Sequence, residues 1–211
     1  MSENIEEKFK EVKEYLWETW QTSERYKDFV VELDTYDIQT AKEIGMRRYE
    51  ESRTAKSKNP RLSKKQSIPF ERDILGALGE MAAIKWLKQN GYCPSIDAFI
   101  STEVRGQKDT FDTDFVFDGE KVTVEIKTTE KPLKAKLIYP YHKGLREDQP
   151  DVFILVSQID ESRYCIKGFT DQHKVLNSLD ETLPKKAYAV PENKLSNDLK
   201  KVIKTNIINK K

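Results

Sequence analysis

The sequence feature that most constrains the fold is Asp118-Gly119, which is flanked by two runs of alternating apolar and polar residues. An Asp-Gly pair between such runs is the strongest short-range indication of a β-hairpin, because both loop residues of a type I′ turn need positive φ. With a two-residue loop, residues 112–129 form two antiparallel strands. The predicted cross-strand pairs are Phe117 with Glu120, Phe115 with Val122, Asp114 with Thr123 and Asp112 with Glu125.

This hairpin has one apolar and one charged face, because side chains alternate between the faces of a strand. The apolar face carries Phe115, Phe117, Val122, Val124 and Ile126, and the charged face carries Asp112, Asp114, Thr123, Glu125 and Lys127. Neighbouring carboxylates repel unless a cation compensates them, and residues opposite each other have Cβ atoms about 5 Å apart. Asp114 and Glu125 are therefore predicted to share a hard cation, with Lys127 placed to hold a water or a phosphate. The alternative is a hairpin whose charges simply face solvent.

The second element is a helix that carries Glu80, the only acidic residue in the range 74–87. Gly76, Gly79 and Ala83 form a stripe of small residues beside it. Each glycine in a helix costs about 1 kcal/mol relative to alanine, so this stripe predicts close backbone packing. Glu80 would then be carried toward the sheet, where a buried carboxylate needs a partner. A metal bound together with the hairpin carboxylates would supply that partner.

These residues resemble the pattern of the PD-(D/E)XK nuclease superfamily, in which a helix glutamate precedes a strand aspartate and a Glu-x-Lys on the next strand. Glu80, Asp114 and Glu125-Ile126-Lys127 match the pattern, and Thr113 stands at the position of the superfamily's proline. Other stretches are similar to uncharacterised phage and mobile-element proteins of the superfamily, and together the resemblance covers roughly residues 28–200. They are Asp37, Ala41, Ile44-Gly45, Arg48, Glu51-Ser52, Gly76 to Glu80, Gly168-Phe169, Tyr188 and Val190-Pro191.

The resemblance implies a Mg²⁺- or Mn²⁺-dependent nuclease of phage or mobile-element origin that hydrolyses DNA phosphodiester bonds. The catalytic residues would be Glu80, Asp114, Glu125 and Lys127, and the metal ligands Glu80, Asp114, Glu125 and the carbonyl of Ile126. Lys127 would orient the attacking water or neutralise charge that develops on the phosphate. The role of Asp112 stays open. The Gln-x3-Tyr of the RecB-like and phage-exonuclease branches is not evident, which favours an endonuclease.

The predicted fold is α/β, a mixed central sheet flanked by helices. It consists of a restriction-endonuclease-like core in residues 28–211 and an N-terminal helical arm in residues 1–27. The arm carries its apolar residues at helical spacing, and it packs either on its own domain or against a second copy or a protein partner. The apolar residues of the arm are Ile5, Phe9, Val12, Leu16 and Trp20. Further predicted elements are strands at 29–33, 98–100, 151–156, 163–168 and 187–190 and helices at 37–56, 67–91, 171–179 and 195–203.

Two basic segments are candidates for contact with DNA. Residues 53–65 contain no acid, and residues 131–143 interleave lysines with tyrosines, a pattern that suits backbone contacts and base stacking. The predicted DNA-binding residues are Arg53, Lys56, Lys58, Arg61, Lys64, Lys65, Lys134 and Lys136. The alternatives are a solvated loop for the first segment and an ordinary edge strand and loop for the second.

Composition excludes several other classes of protein. Cys93 and Cys165 are too far apart in sequence for a disulfide framework or a zinc site, and they fit a reducing cytoplasm of a bacterial host. Only two histidines leave little room for histidine-based catalysis. No apolar run reaches the roughly 18 residues of a membrane span, and the acidic N-terminus predicts no signal peptide. The net charge of +1 argues neither for nor against nucleic acid.

Two rival interpretations come from other functional classes. The first is a catalytically inactive descendant of the fold that binds nucleic acid or serves as an assembly module. The second is a subunit that cleaves only after a partner docks on the N-terminal helix. The intact acidic and lysine positions favour an active enzyme over an inactive one, because a decayed site has no reason to keep Glu80 beside small residues.

Overall fold

The computed structural model of the chain describes residues 3–58, 70–96, 99, 111–141 and 149–210, with side chains except at 3–5, 52–58, 209 and 210. The helices are α1 (Glu3–Thr22), α2 (Thr35–Lys58), α3 (Phe70–Gln89), α4 (Gln172–Leu176) and α5 (Leu199–Lys210), with a 3₁₀ turn at Glu192–Lys194. The strands are β1 (Val30–Glu32), β2 (Thr113–Phe117), β3 (Glu120–Thr129), β4 (Lys136–Pro140), β5 (Val152–Gln158), β6 (Arg163–Asp171), β7 (Leu179–Asp180) and β8 (Ala187–Pro191).

The strands form two sheets. The larger has the order β1-β6-β5-β3-β2, in which β3 and β5 are parallel and the other neighbours are antiparallel. The smaller has the order β4-β8-β7 and is antiparallel throughout. Helices flank the larger sheet, so the coarse prediction of an α/β protein with a mixed sheet and flanking helices is confirmed.

The hairpin of β2 and β3 has the predicted turn and register. Asp118 and Gly119 have φ values of 51° and 82°, the left-handed conformation that a type I′ turn requires. The pairs of Phe117 with Glu120, Phe115 with Val122 and Asp114 with Thr123 are all present. β2 begins at Thr113, so Asp112 precedes the strand, and its N–H donates to the carbonyl of Val124 at 3.1 Å.

The apolar side chains of β5 enter two separate cores, one on each face of the larger sheet. Residues 152–157 are all buried, as predicted for a central strand. Alternate residues Val152, Ile154 and Val156 pack with the apolar face of β3 and with α3. The residues between them, Phe153 and Leu155, pack with Leu137, Val175, Val190 and Leu195 of the second core. Helix α3 and the smaller sheet therefore pack on opposite faces of the larger sheet.

Helix α1 differs in its two halves. Phe9 and Val12 in the first half are 65% and 54% exposed. In the second half Leu16, Trp17 and Trp20 are buried in a third cluster with Ile159 and Cys165. The second half of this helix therefore packs on the rest of the chain, as the first of the two alternatives predicts, whereas Phe9 and Val12 of the first half are exposed.

Several predicted elements have different bounds in the structure. The strand predicted at 98–100 is wrong at Phe99, which is helical and buried, and its other two residues lie outside the described part of the chain. The terminal helix begins at Leu199 instead of 195, because Ser196 pairs with Phe169 as an isolated β-bridge. None of the helices in the described ranges is long and apolar enough to cross a lipid bilayer.

Candidate active site

The close approach of α3 to β3 brings a carboxylate to the sheet. A Cβ atom placed on Gly79 would lie 2.7 Å from the Cβ of Thr128 and closer still to the other Thr128 side-chain atoms. Real Cβ atoms do not approach each other this closely, so Gly79 is required by the packing. The neighbouring residue, Glu80, is only 3% exposed. The predicted burial of Glu80 against the sheet is therefore what the structure shows.

Arg48 of α2 neutralises the buried Glu80. Its Nη1 donates to Oε1 at 2.8 Å, and its Nη2 lies 2.7 Å from Oε2. The same guanidinium donates to the carbonyl of Phe99 at 3.0 Å. Burial would lower the pKa of Arg48, but Glu80 and then Asp112 hold that pKa above its usual value. The partner that buried Glu80 was predicted to need is present as an arginine, and the metal stays a prediction.

Asp112 reaches the same region from the end of the hairpin. It is 7% exposed, and its Oδ2 accepts a hydrogen bond of 2.7 Å from the backbone N–H of Ile126. Asp112 lies just before β2, which begins at Thr113, so its side chain is placed beside the end of the hairpin where it reaches the Ile126 N–H. A hydrogen bond to a backbone N–H also holds the carboxylate in a defined position.

A cleft of about 170 Å³ opens between the N-terminal half of α3 and the C-terminal end of β3. We call it the Glu80 cleft. Its lining residues are Arg48, Arg72, Asp73, Leu75, Gly76, Glu80, Asp112, Ile126, Lys127 and Thr128. Three of the predicted site residues, Glu80, Ile126 and Lys127, thus border the cleft, although the Lys127 ammonium pairs with Glu125. The structure adds Asp112, whose role the sequence left open.

Asp114 and Glu125 are not among the residues that line the cleft. Asp114 forms an ion pair with Lys121, with Oδ2 and Nζ 3.0 Å apart, and Glu125 forms one with Lys127. Side chains alternate along β3, so Glu125 and Lys127 both lie on the opposite face from Thr128, where α3 packs. The Lys127 Nζ accordingly lies 5.8 Å from the centroid of the Tyr139 ring. The charged face of the hairpin and the helix glutamate are therefore on different faces of the sheet.

The Glu80 cleft contains oxygen donors that suit a divalent cation. Carboxylate and carbonyl oxygens are the ligands that Mg²⁺ prefers, and Glu80, Asp112 and Ile126 bring such groups to the cleft. Within the described part of the chain, however, no group of three or more histidine, cysteine, aspartate or glutamate side chains is arranged to hold a metal ion. The donor chemistry fits a cation with one or two protein carboxylates, and the predicted cluster of three carboxylates does not form.

The basic segments are only partly described. The side chains of Arg53, Lys56 and Lys58 and all of Arg61, Lys64 and Lys65 lie outside the described residues. Lys134 has a φ of 53° in the turn before β4, and Lys136 lies 3.6 Å from Asp180 of the smaller sheet. Lys136 thus belongs to the smaller sheet and Lys134 to the segment that leads into it. Their contact with DNA stays a prediction.

Sequence reasoning did not assign Arg48 and Arg72 to the site. Arg48 is separated from Glu80 by 32 residues, and nothing in that spacing predicts an ion pair. Arg72 was accessible to prediction, because it precedes Gly76 and Glu80 at intervals of four on one helix face. No protein-family model, no curated protein and no solved structure matches this chain, so its candidate site stands on the geometry of its own residues.

Proposed function

We propose that this chain is a Mg²⁺- or Mn²⁺-dependent endonuclease that hydrolyses phosphodiester bonds of DNA in the Glu80 cleft. The observation that carries the proposal is the meeting of two carboxylates, Glu80 and Asp112, with the backbone of Ile126 in one cleft. Carboxylates around a phosphate-sized space are the groups that hold the cation in metal-assisted phosphodiester hydrolysis.

Each residue has a defined part in this proposal. Glu80, Asp112 and the carbonyl of Ile126 would hold the metal, with Asp112 in the role that the sequence pattern assigned to Asp114. When bound, the ion stabilises charge on the phosphate and lowers the pKa of a water. Lys127 would neutralise charge that develops on the phosphate once its ammonium group leaves Glu125 and turns to the cleft. Arg48 holds Glu80 in a fixed orientation through both carboxylate oxygens.

The proposal also includes the finer predictions on the fold, the cellular location and the partners of the chain. A restriction-endonuclease-like core is supported by α3 packing across β3, the strand that carries Glu125-Ile126-Lys127. A reducing cytoplasm, of a bacterial host or of a phage-infected cell, is supported by two free cysteines, exposed Cys93 and buried Cys165. A homodimer or partner contact through α1 is supported by the exposed Phe9 and Val12.

The test is cleavage of supercoiled, linear and single-stranded DNA in EDTA, Mg²⁺ and Mn²⁺. We expect nicking or linearisation of supercoiled DNA with metal and none in EDTA. Asp112→Asn should abolish cleavage, and Lys127→Met should lower its rate by on the order of 100-fold or more. Asparagine keeps an oxygen that accepts from Ile126, so the fold should survive. Asp114→Asn is the matched control and should stay active. Equal activity of the wild type and Asp112→Asn would refute this site.

A second candidate is a nuclease-fold protein that does not cleave alone, either an inactive nucleic-acid-binding or assembly module or a subunit that a partner activates. The bidentate pairing of Arg48 with Glu80 favours it, because that carboxylate is already neutralised without a metal. This candidate predicts DNA binding with no cleavage in Mg²⁺ or Mn²⁺ and unchanged binding in Asp112→Asn. Cleavage by the purified chain would exclude it.

A further inference from the structure

The two glycines of α3 have different surroundings. Gly79 is pressed against Thr128, whereas a Cβ on Gly76 would meet only Oε1 of Glu80, at 4.0 Å, among the described residues. Packing therefore does not require a glycine at position 76, although glycine there costs about 1 kcal/mol relative to alanine. Gly76 lines the Glu80 cleft, and the missing side chain leaves that space open.

Arg72, Gly76 and Glu80 lie on one face of α3, because residues four apart on a helix are neighbours. All three line the Glu80 cleft. Arg72 is exposed, and Glu80 is buried. The row thus leads from an exposed guanidinium at the mouth of the cleft, over a position without a side chain, to the carboxylate at its floor.

The cations of the cleft are not equally available to a ligand. Arg48 is engaged by Glu80, and Lys127 pairs with Glu125. Within the described residues Arg72 has no ion-pair partner. Guanidinium presents several N–H donors in a planar fork that matches two phosphate oxygens. Arg72 is therefore the cation of this cleft that can bind a phosphate without giving up another partner.

We propose that Arg72 binds a phosphate of the nucleic-acid substrate at the mouth of the Glu80 cleft, and that Gly76 leaves the room in which this phosphate lies. The inference rests on the proposed function for the nature of the substrate. It adds a substrate-binding residue and a shape requirement that the sequence pattern does not contain.

The test measures binding of a fluorescent duplex DNA by anisotropy in EDTA, where no cleavage occurs. Arg72→Gln should weaken binding by about 10-fold, the effect of losing about 1.4 kcal/mol, and should make the plot of log K against log salt shallower by about one unit. The matched control is Arg47→Gln, which removes an equal charge from an exposed position on α2 outside the cleft lining. Equal affinities and slopes for the two variants would overturn the inference.

Gly76→Leu tests the shape requirement independently of charge. Leucine at this position fills the cleft and is a good helix former, so DNA affinity should fall as in Arg72→Gln while the melting temperature is maintained. Unchanged affinity in Gly76→Leu would overturn the role of Gly76. A wild type that binds DNA with the expected Arg72 dependence but cleaves with neither metal would refute the proposed nuclease and uphold this inference. A wild type that does not bind DNA would overturn it.

Discussion

Two buried ion pairs lie on different faces of the larger sheet, and of these two the Arg48–Glu80 pair lines a cleft in the described part of the chain. Arg48 holds Glu80 at the floor of the Glu80 cleft. The other pair joins Lys167 of β6 to Glu192 at 3.3 Å. The Lys167 side chain is 1% exposed, and its Nζ lies 3.8 Å and 4.4 Å from the ring centroids of Trp20 and Tyr26. We call this second arrangement the Lys167 cage.

The difference between the two pairs shows that a buried charge alone does not identify a functional site. In the Lys167 cage the hydroxyl of Tyr26 donates to Glu192, whose other carboxylate oxygen accepts from the N–H of Ala135 at 3.1 Å. The cage thus joins α1 and the turn after it to both sheets. Its aromatic rings close over the lysine, whereas Gly76 leaves the other pair open. One pair holds elements together, and the other also borders a cavity.

The largest expected effect is the loss of stability in Arg48→Met. Removal of one partner from a buried ion pair leaves an uncompensated charge and costs about 3–5 kcal/mol. The free energy of unfolding should fall by that amount in urea denaturation at neutral pH. The double variant Arg48→Met/Glu80→Leu should recover most of the loss, because it also removes the Glu80 carboxylate that the single variant leaves unpaired. A loss below about 1 kcal/mol in the single variant would mean that Glu80 is solvated through the cleft.

The corresponding change in the Lys167 cage, Lys167→Met, should have a smaller effect. Glu192 keeps its hydrogen bonds from Tyr26 and Ala135, and methionine fills the space between the rings. The free energy of unfolding should fall by about 1–3 kcal/mol, measured in the same urea experiment. A larger loss than that of Arg48→Met would reverse the comparison and make the cage the more critical contact.

Alanine substitution of the two glycines of α3 tests whether position 79 is closely packed and position 76 borders open space. Gly79→Ala should destabilise by about 1–3 kcal/mol, because its methyl group has no room beside Thr128. Gly76→Ala should instead stabilise by about 0.5–1 kcal/mol, because the cleft has room for a methyl group and alanine is the better helix former. Thermal unfolding of the pair measures the contrast. Destabilisation by Gly76→Ala would show that position 76 is packed and not open.

The smallest expected effect is on the pH dependence of stability. Burial lowers the pKa of Lys167, so stability gains from this group as pH rises from that lowered pKa to about 10.4, where an unfolded lysine titrates. Burial raises the pKa of Cys165 to about 12, so stability is lost above about pH 8.5, where an unfolded cysteine ionises. Lys167→Met should steepen the alkaline loss, and Cys165→Ala should reduce it, each by up to about 1 kcal/mol per pH unit.

The informative result is an opposite change, in the two variants, of the slope of the free energy of unfolding against pH. These slopes are read from urea titrations at several alkaline pH values. An unchanged slope in Lys167→Met would show that this lysine is as solvated in the folded chain as in the unfolded one. The cage would then be open to water like the cleft.

Local chemistry made much of the fold predictable from sequence. Asp118-Gly119 determined the hairpin turn and register, because few residue pairs adopt positive φ twice in succession. The uninterrupted apolar run of β5 marked a central strand. Gly79 correctly indicated close packing of α3, and Gly76 did not. The spacing of two glycines alone cannot distinguish a glycine that contacts the sheet from one that borders a cavity.

The sequence by itself determined the hairpin, the long helices and the burial of Glu80, since each depends on residues close together in the chain. Only the tertiary structure decided which partners the buried charges have. The Arg48–Glu80 pair joins α2 to α3. Asp112, and not Asp114, reaches the cleft because β2 begins at Thr113, so Asp112 lies beside Ile126 near the end of β3. Such contacts depend on how elements pack and on which face of a strand a side chain occupies. Residue spacing along the chain shows which side chains share a face, but it does not show which distant element packs against that face.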